Sequence, residues 1–148
     1  MKVVHVGRHV FEIEEDIVHI HWIGPSPLAE VQQAYPYIEE VHARLGRCLV
    51  LMDMRQSHVP DAETRQWLAD WWTRHDRETI PLACHGLHVM MQTAINLMLR
   101  AAVLLGRRPP SVLYVSTEAE ARAWLASKRA QICARQALQR TGRAPDAT

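Results

Sequence analysis

The sequence predicts an α/β fold with a mixed, mostly parallel sheet, and three observations carry that prediction. Short apolar runs of strand length, near 48–54, 82–87 and 111–115, alternate with longer stretches of three- and four-residue periodicity. The 48–54 run is apolar on successive residues, the pattern of a parallel strand covered on both faces. An alternating segment, Val10 to Ile23, precedes it and reads as an antiparallel N-terminal β-hairpin. The expected order is β-β-α-β-α-β-α-β-α, with about four helices, in one domain over residues 1–140 and a flexible tail over 141–148.

The hairpin turns at Glu15-Asp16. With Glu14 opposite Ile17, one face carries Phe11, Ile13, Val18, Ile20 and Trp22, while the other pairs Glu12 with His19 and Val10 with His21. Gly24-Pro25-Ser26-Pro27 ends the strand. Leu28, Val31, Tyr35, Ile38, Val41 and Leu45 then mark an amphipathic helix closing at Gly46, which Pro36 must kink or split. Cys48 to Met54 is the central buried strand, and Pro60-Asp61-Ala62-Glu63 opens a second helix to about His75. Leu82 to Leu87 reads as a further buried strand, followed by a very apolar helix to Leu105 and by Gly106-Arg107-Arg108-Pro109-Pro110. Ser111 to Val115 is a short last strand. Thr117-Glu118-Ala119-Glu120 has the form of a capping box, and its helix runs beyond Lys128 towards Arg140.

Composition narrows the function classes. Seventeen Lys+Arg against sixteen Asp+Glu leave no basic excess for a phosphate backbone, so no nucleic-acid partner is expected. The most apolar stretch, Ile80 to Leu105, is interrupted by His85, His88, Gln92, Asn96 and Arg100, so no membrane insertion is expected. Three scattered cysteines form no disulfide framework, and the first residues lack the apolar stretch of a secretory signal. A cytoplasmic setting is expected.

The hairpin, the strand Leu49-Val50-Leu51-Met52-Asp53-Met54, the helix after Pro60 and the terminal Leu113 to Leu125 segment together resemble the STAS domain superfamily. That group includes the SpoIIAA-like anti-sigma-factor antagonists of bacteria and the cytoplasmic ends of sulfate transporters. The likeness covers about residues 10–130 and implies a single STAS-like domain that signals by protein–protein contact. The family's regulatory Ser or Thr follows the central strand in an Asp-Ser-Ser-Gly type of motif. Here the corresponding stretch, Arg55 to Thr64, has no Asp-Ser or Asp-Thr pair: Ser57 lies upstream in the loop and Thr64 one turn inside the helix. Asp61 reads as a helix-start residue with a favourable charge at the N-terminus.

The chemistry-bearing residues point away from an enzyme. No Gly-x-Ser-x-Gly, Gly-x-x-x-x-Gly-Lys or Gly-x-Gly-x-x-Gly motif occurs. Nine histidines invite a metal, but no second ligand pair of usual spacing accompanies Cys84-His85, so neither metal nor cofactor is expected. On the second helix, Trp71 and Leu68 centre the apolar face while Trp67 and Trp72 flank it, where a half-exposed indole suits a binding hot spot. The third helix has only a narrow polar stripe of Gln92, Thr93, Asn96 and Arg100. The expected function is a non-catalytic regulatory module that contacts a protein partner through Ser57, His58, Asp61, Thr64, Trp67 and Trp72. A homodimer through Leu97 and Leu104 is expected beside it. The alternative is a binder of an apolar, lipid-like small molecule in a Met- and Trp-lined pocket.

Overall fold

A computed structural model describes residues 1–75, 78–106 and 112–142. Arg107 to Ser111 and the expected tail beyond Gly142 lie outside the described residues. The elements run β1 (Lys2–Val6), β2 (His9–Glu14), β3 (Ile17–Gly24), α1 (Leu28–Ala34), α2 (Pro36–Leu45) and β4 (Leu49–Ser57). They continue with α3 (Ala62–Arg74), β5 (Leu82–His85), α4 (Val89–Leu104), β6 (Val112–Val115) and α5 (Glu118–Thr141).

The strands form one six-stranded sheet in sequence order, β1 to β6. The first two pairings are antiparallel and the last three parallel. The hairpin register is the expected one: Glu14 faces Ile17, Glu12 faces His19 and Val10 faces His21. One element was not expected, and one expected break is present. β1 adds an edge strand, returning to β2 through Gly7, whose φ of 58° suits the tight turn. Pro36 splits the first helix into α1 and α2 because it has no N–H to donate to the helical ladder.

The sheet is covered on both sides. On one face Phe11, Val18, Ile20, Val50, Met52, Leu82 and Cys84 meet Val31, Tyr35, Ile38 and Val41 from the α1–α2 region, with Trp71 and Trp72 of α3. On the other, Leu49, Leu51 and Ala83 meet Ala121, Leu125 and Ile132 of α5. The continuous apolar run of β4 therefore splits by parity between two cores, which is why it does not alternate.

Asp16, at the hairpin turn, ties α5 down from beneath. It is 1% exposed, and its carboxylate accepts from Arg129 Nη2 at 2.6 Å, Arg129 Nε at 3.0 Å and Arg47 Nε at 2.6 Å. Burial works to raise its pKa, but the Arg129 and Arg47 hydrogen bonds outweigh burial and hold the carboxyl below its ordinary value. The start of α5 is capped as expected. Thr117 Oγ1 accepts from the Glu120 N–H, while the Glu120 carboxylate reaches back to the N–H of Ser116, one residue before the cap.

Candidate functional site

The loop after β4 and the start of α3 hold the expected contact residues, and burial divides them. His58 and Asp61 are exposed and Trp67 is half-buried. Ser57 is buried, its hydroxyl donating to the Met54 carbonyl at 2.8 Å and lying 3.6 Å from Met91 Sδ. Thr64 is fully buried as well. Neither hydroxyl stands free as an exposed regulatory group would. Asp61 accepts from the Thr64 N–H at 2.8 Å, so it is the α3 N-cap.

Trp72 corrects the expected half-exposed flank. It is 8% exposed and donates from Nε1 to the Tyr35 hydroxyl. Trp67, Trp71 and Trp72 all stand edge-on to the Tyr35 ring, at 5.4, 4.7 and 6.2 Å between centroids. The aromatic cluster is a packed wall between α3 and the α1–α2 junction, held by Tyr35 rather than opened by it.

α4 is the outlier in the fold. Among its described side chains, Val89, Met90, Leu97, Val103 and Leu104 are exposed, Met90 at 86%, Leu97 at 60% and Leu104 at 88%. Met90, Leu97, Ala101 and Leu104 follow one another at steps of seven, four and three residues. At 100° per residue they fall within about 60° of one another, one narrow stripe along the helix. Such spacing is that of a coiled-coil seam, with Met90, Leu97 and Leu104 as large knobs and Ala101 as a small position between. Among the described residues no helix is long and apolar enough to cross a membrane.

A third place was not foreseen from spacing. On the α5 face, strand register sets Val10, His21, Asp53, His85 and Val115 in one row across the sheet, and Glu12, His19, Leu51, Ala83 and Leu113 in the next. The apolar floor under α5 thus gives way to polar side chains towards the carboxyl ends of the parallel strands, where α5 begins with Glu118. A register shift between His21 and Ile23 gives β4 an extra residue, and Arg55 folds back over Asp53. Asp53 accepts from the Arg55 N–H at 3.1 Å, Nε at 2.9 Å and Nη2 at 2.6 Å, with His21 Nδ1 at 3.2 Å. Gly86, at φ 76°, makes room for this arm: a Cβ there would collide with Arg55.

The electrostatics follow from this crowding. Burial works to raise the Asp53 pKa, yet the Arg55 and His21 hydrogen bonds win and hold the carboxyl well below the usual range. Burial pushes His19 down to about 4, with the neighbouring His21 adding to the shift, and burial lowers His85 too. Both shifts favour the neutral imidazole. A shallow groove of about 290 Å³ opens over Glu12, His21, Asp53 and Arg55. The sequence signal for this place was the parity of the rows: Asp53 shares its face with Leu49 and Leu51, and His85 with Ala83.

No family model and no curated protein matches the chain. Among solved structures it is similar to an uncharacterized protein of the DUF3478 family from Shewanella loihica, described as having a SpoIIAA-like fold. The identity is 14%, the TM-score is 0.55, and the match covers 84% of this chain and 90% of that one. The likeness agrees with the hairpin, the parallel strands and the closing helix expected from the sequence. This chain has a SpoIIAA-like fold.

Proposed function

We propose that the protein is a non-catalytic regulatory module that acts by protein–protein contact, with the α4 stripe as the contact surface and a second copy of the chain as its occupant. The observation that carries this reading is the row of exposed Met90, Leu97 and Leu104 at heptad spacing. A stripe so narrow fits the matching stripe of another helix, and an identical chain always brings one. Ser57, at the end of β4, lies 3.6 Å from Met91 of α4, and His58 and Val59 in the loop that follows are exposed. The SpoIIAA-like fold supports a signalling role by analogy, and a cytoplasmic setting suits that role.

The magnitude favours reversible association. Covering six large side chains, three from each copy, brings on the order of 10 kcal/mol at about 1.5–3 kcal/mol each. Association costs about 4–15 kcal/mol in lost freedom. The two are comparable, so the contact forms and dissolves with concentration. Sedimentation equilibrium from 1 to 100 μM is the test. A monomer–dimer equilibrium that the Leu97→Glu, Leu104→Glu double variant abolishes, with its melting temperature kept, supports the reading. A wild-type monomer throughout that range overturns it.

A further inference from the structure

Beyond the contact function, we propose that His19, His85 and Glu118 form a binding site for a divalent transition-metal ion of the zinc class. The three come from β3, β5 and the first turn of α5, and one ligand atom from each lies within 4.8 Å of the others. His19 is 2% exposed and His85 3% exposed. Among the described residues, the Nε2 atom of each is buried without a hydrogen-bond partner. Two buried imidazole nitrogens without a partner are costly unless something accepts their lone pairs. A metal ion does so.

The surroundings fit that ligand. His19 Nδ1 is engaged by Arg122 Nη2 and by the Glu12 carboxylate, each at 3.4 Å, so Nε2 is the ring nitrogen left for a metal. Arg122 is itself held through Nε by Glu118 at 2.7 Å and through Nη1 by Glu14 at 3.6 Å. Glu12, Glu14, Asp53 and Glu118 outnumber Arg55 and Arg122 by two negative charges, which a divalent cation balances. Two imidazoles and a carboxylate select zinc and its neighbours over magnesium or calcium. A tetrahedral ion would draw the three donors to about 3.3 Å apart, with the partly exposed Glu118 exchanging its Arg122 partner for the metal.

A second group, Glu12, His19 and His21, has similar spacing. We set it aside because both His21 ring nitrogens are engaged, Nδ1 with Asp53 at 3.2 Å and Nε2 with Glu12 at 3.3 Å. Sequence spacing missed the chosen set because its members lie 66 and 33 residues apart, so only the sheet and the turn into α5 bring them together.

The test uses untagged, chelator-stripped full chain titrated with ZnCl2 against a chromophoric chelator, and with CoCl2 for absorption. The expected result is one Zn2+ per chain and cobalt d–d bands of tetrahedral nitrogen–oxygen ligation. Glu118→Gln, at a partly exposed position, should weaken zinc binding at least tenfold, and His85→Gln should weaken it further, each checked for an unchanged far-UV spectrum. His21→Gln should retain binding. Failure of wild-type protein to bind near one equivalent overturns the site, as does binding that survives Glu118→Gln or depends on His21 but not His85. Sedimentation of the same metal-free protein reports on the α4 contact separately, so the two readings fail independently.

Discussion

Replacing Asp16 with alanine probes the joint between the hairpin turn and α5. The carboxylate accepts three hydrogen bonds from two guanidinium groups, all between 2.6 and 3.0 Å. Breaking a buried pair costs about 3–5 kcal/mol. Here the Asp16 side chain is 2% exposed, but Arg47 and Arg129 are 25% and 36% exposed, so water rehydrates them once their partner is gone. The lower end, about 3 kcal/mol, is therefore expected, which for a chain of this size is a fall of roughly 6–12 °C in melting temperature. A thermal melt by circular dichroism reads it. The pH profile adds a sign. Because the folded pKa lies below the unfolded one near 3.9, this stabilisation is present above pH 4 and is lost as pH falls through the folded value. Wild type should thus lose its advantage over Asp16→Asn on acidification. A fall under 2 °C for Asp16→Ala, or strict additivity of Asp16→Ala with Arg129→Ala in a double-mutant cycle, would refute the reasoning.

Three further outcomes are expected. Burial pushes the Cys48 and Cys84 thiols up to about 12, so iodoacetamide at pH 8 should modify only exposed Cys133 in the native chain, giving one adduct by mass spectrometry. Trp72→Ala should cost about 3–5 kcal/mol in urea unfolding, as for a core ring, and half-buried Trp67→Ala clearly less. Gly86→Ala should lower stability by more than about 1 kcal/mol, through its positive φ and the clash with Arg55, with the Arg55 Nε–H resonance moving as Asp53 loses its partner.

Local chemistry made most of the fold legible. The hairpin register followed from two-residue parity, the helix split from the missing N–H of Pro36, and the α5 start from Thr117 and Glu120. β1 escaped notice because Val3, Val4 and Val6 form too short a run to signal a strand; its pairing with β2 supplies what the segment lacks. The site was harder. Trp72 lies at the edge of the α3 apolar face by angle alone, and only Tyr35, arriving from the α1–α2 junction, closes over it. His19, His85 and Glu118 stand on three elements, and no periodicity within one element joins them. Leu97 and Leu104 were legible as residues on the side of α4 away from Ile95 because a helix wheel needs no tertiary information, and both are exposed.

The central claim is that the α4 stripe meets its own copy, and a disulfide cross-link tests it most directly. In a Cys133→Ser background, Leu97→Cys places a thiol midway between Met90 and Leu104, where two paired helices bring equivalent positions together in either orientation. Ser127→Cys, exposed on α5, serves as the control. The account predicts a covalent dimer from Leu97→Cys on mild oxidation at tens of micromolar, and little from Ser127→Cys. Equal cross-linking at both positions, or none at Leu97→Cys, would contradict it.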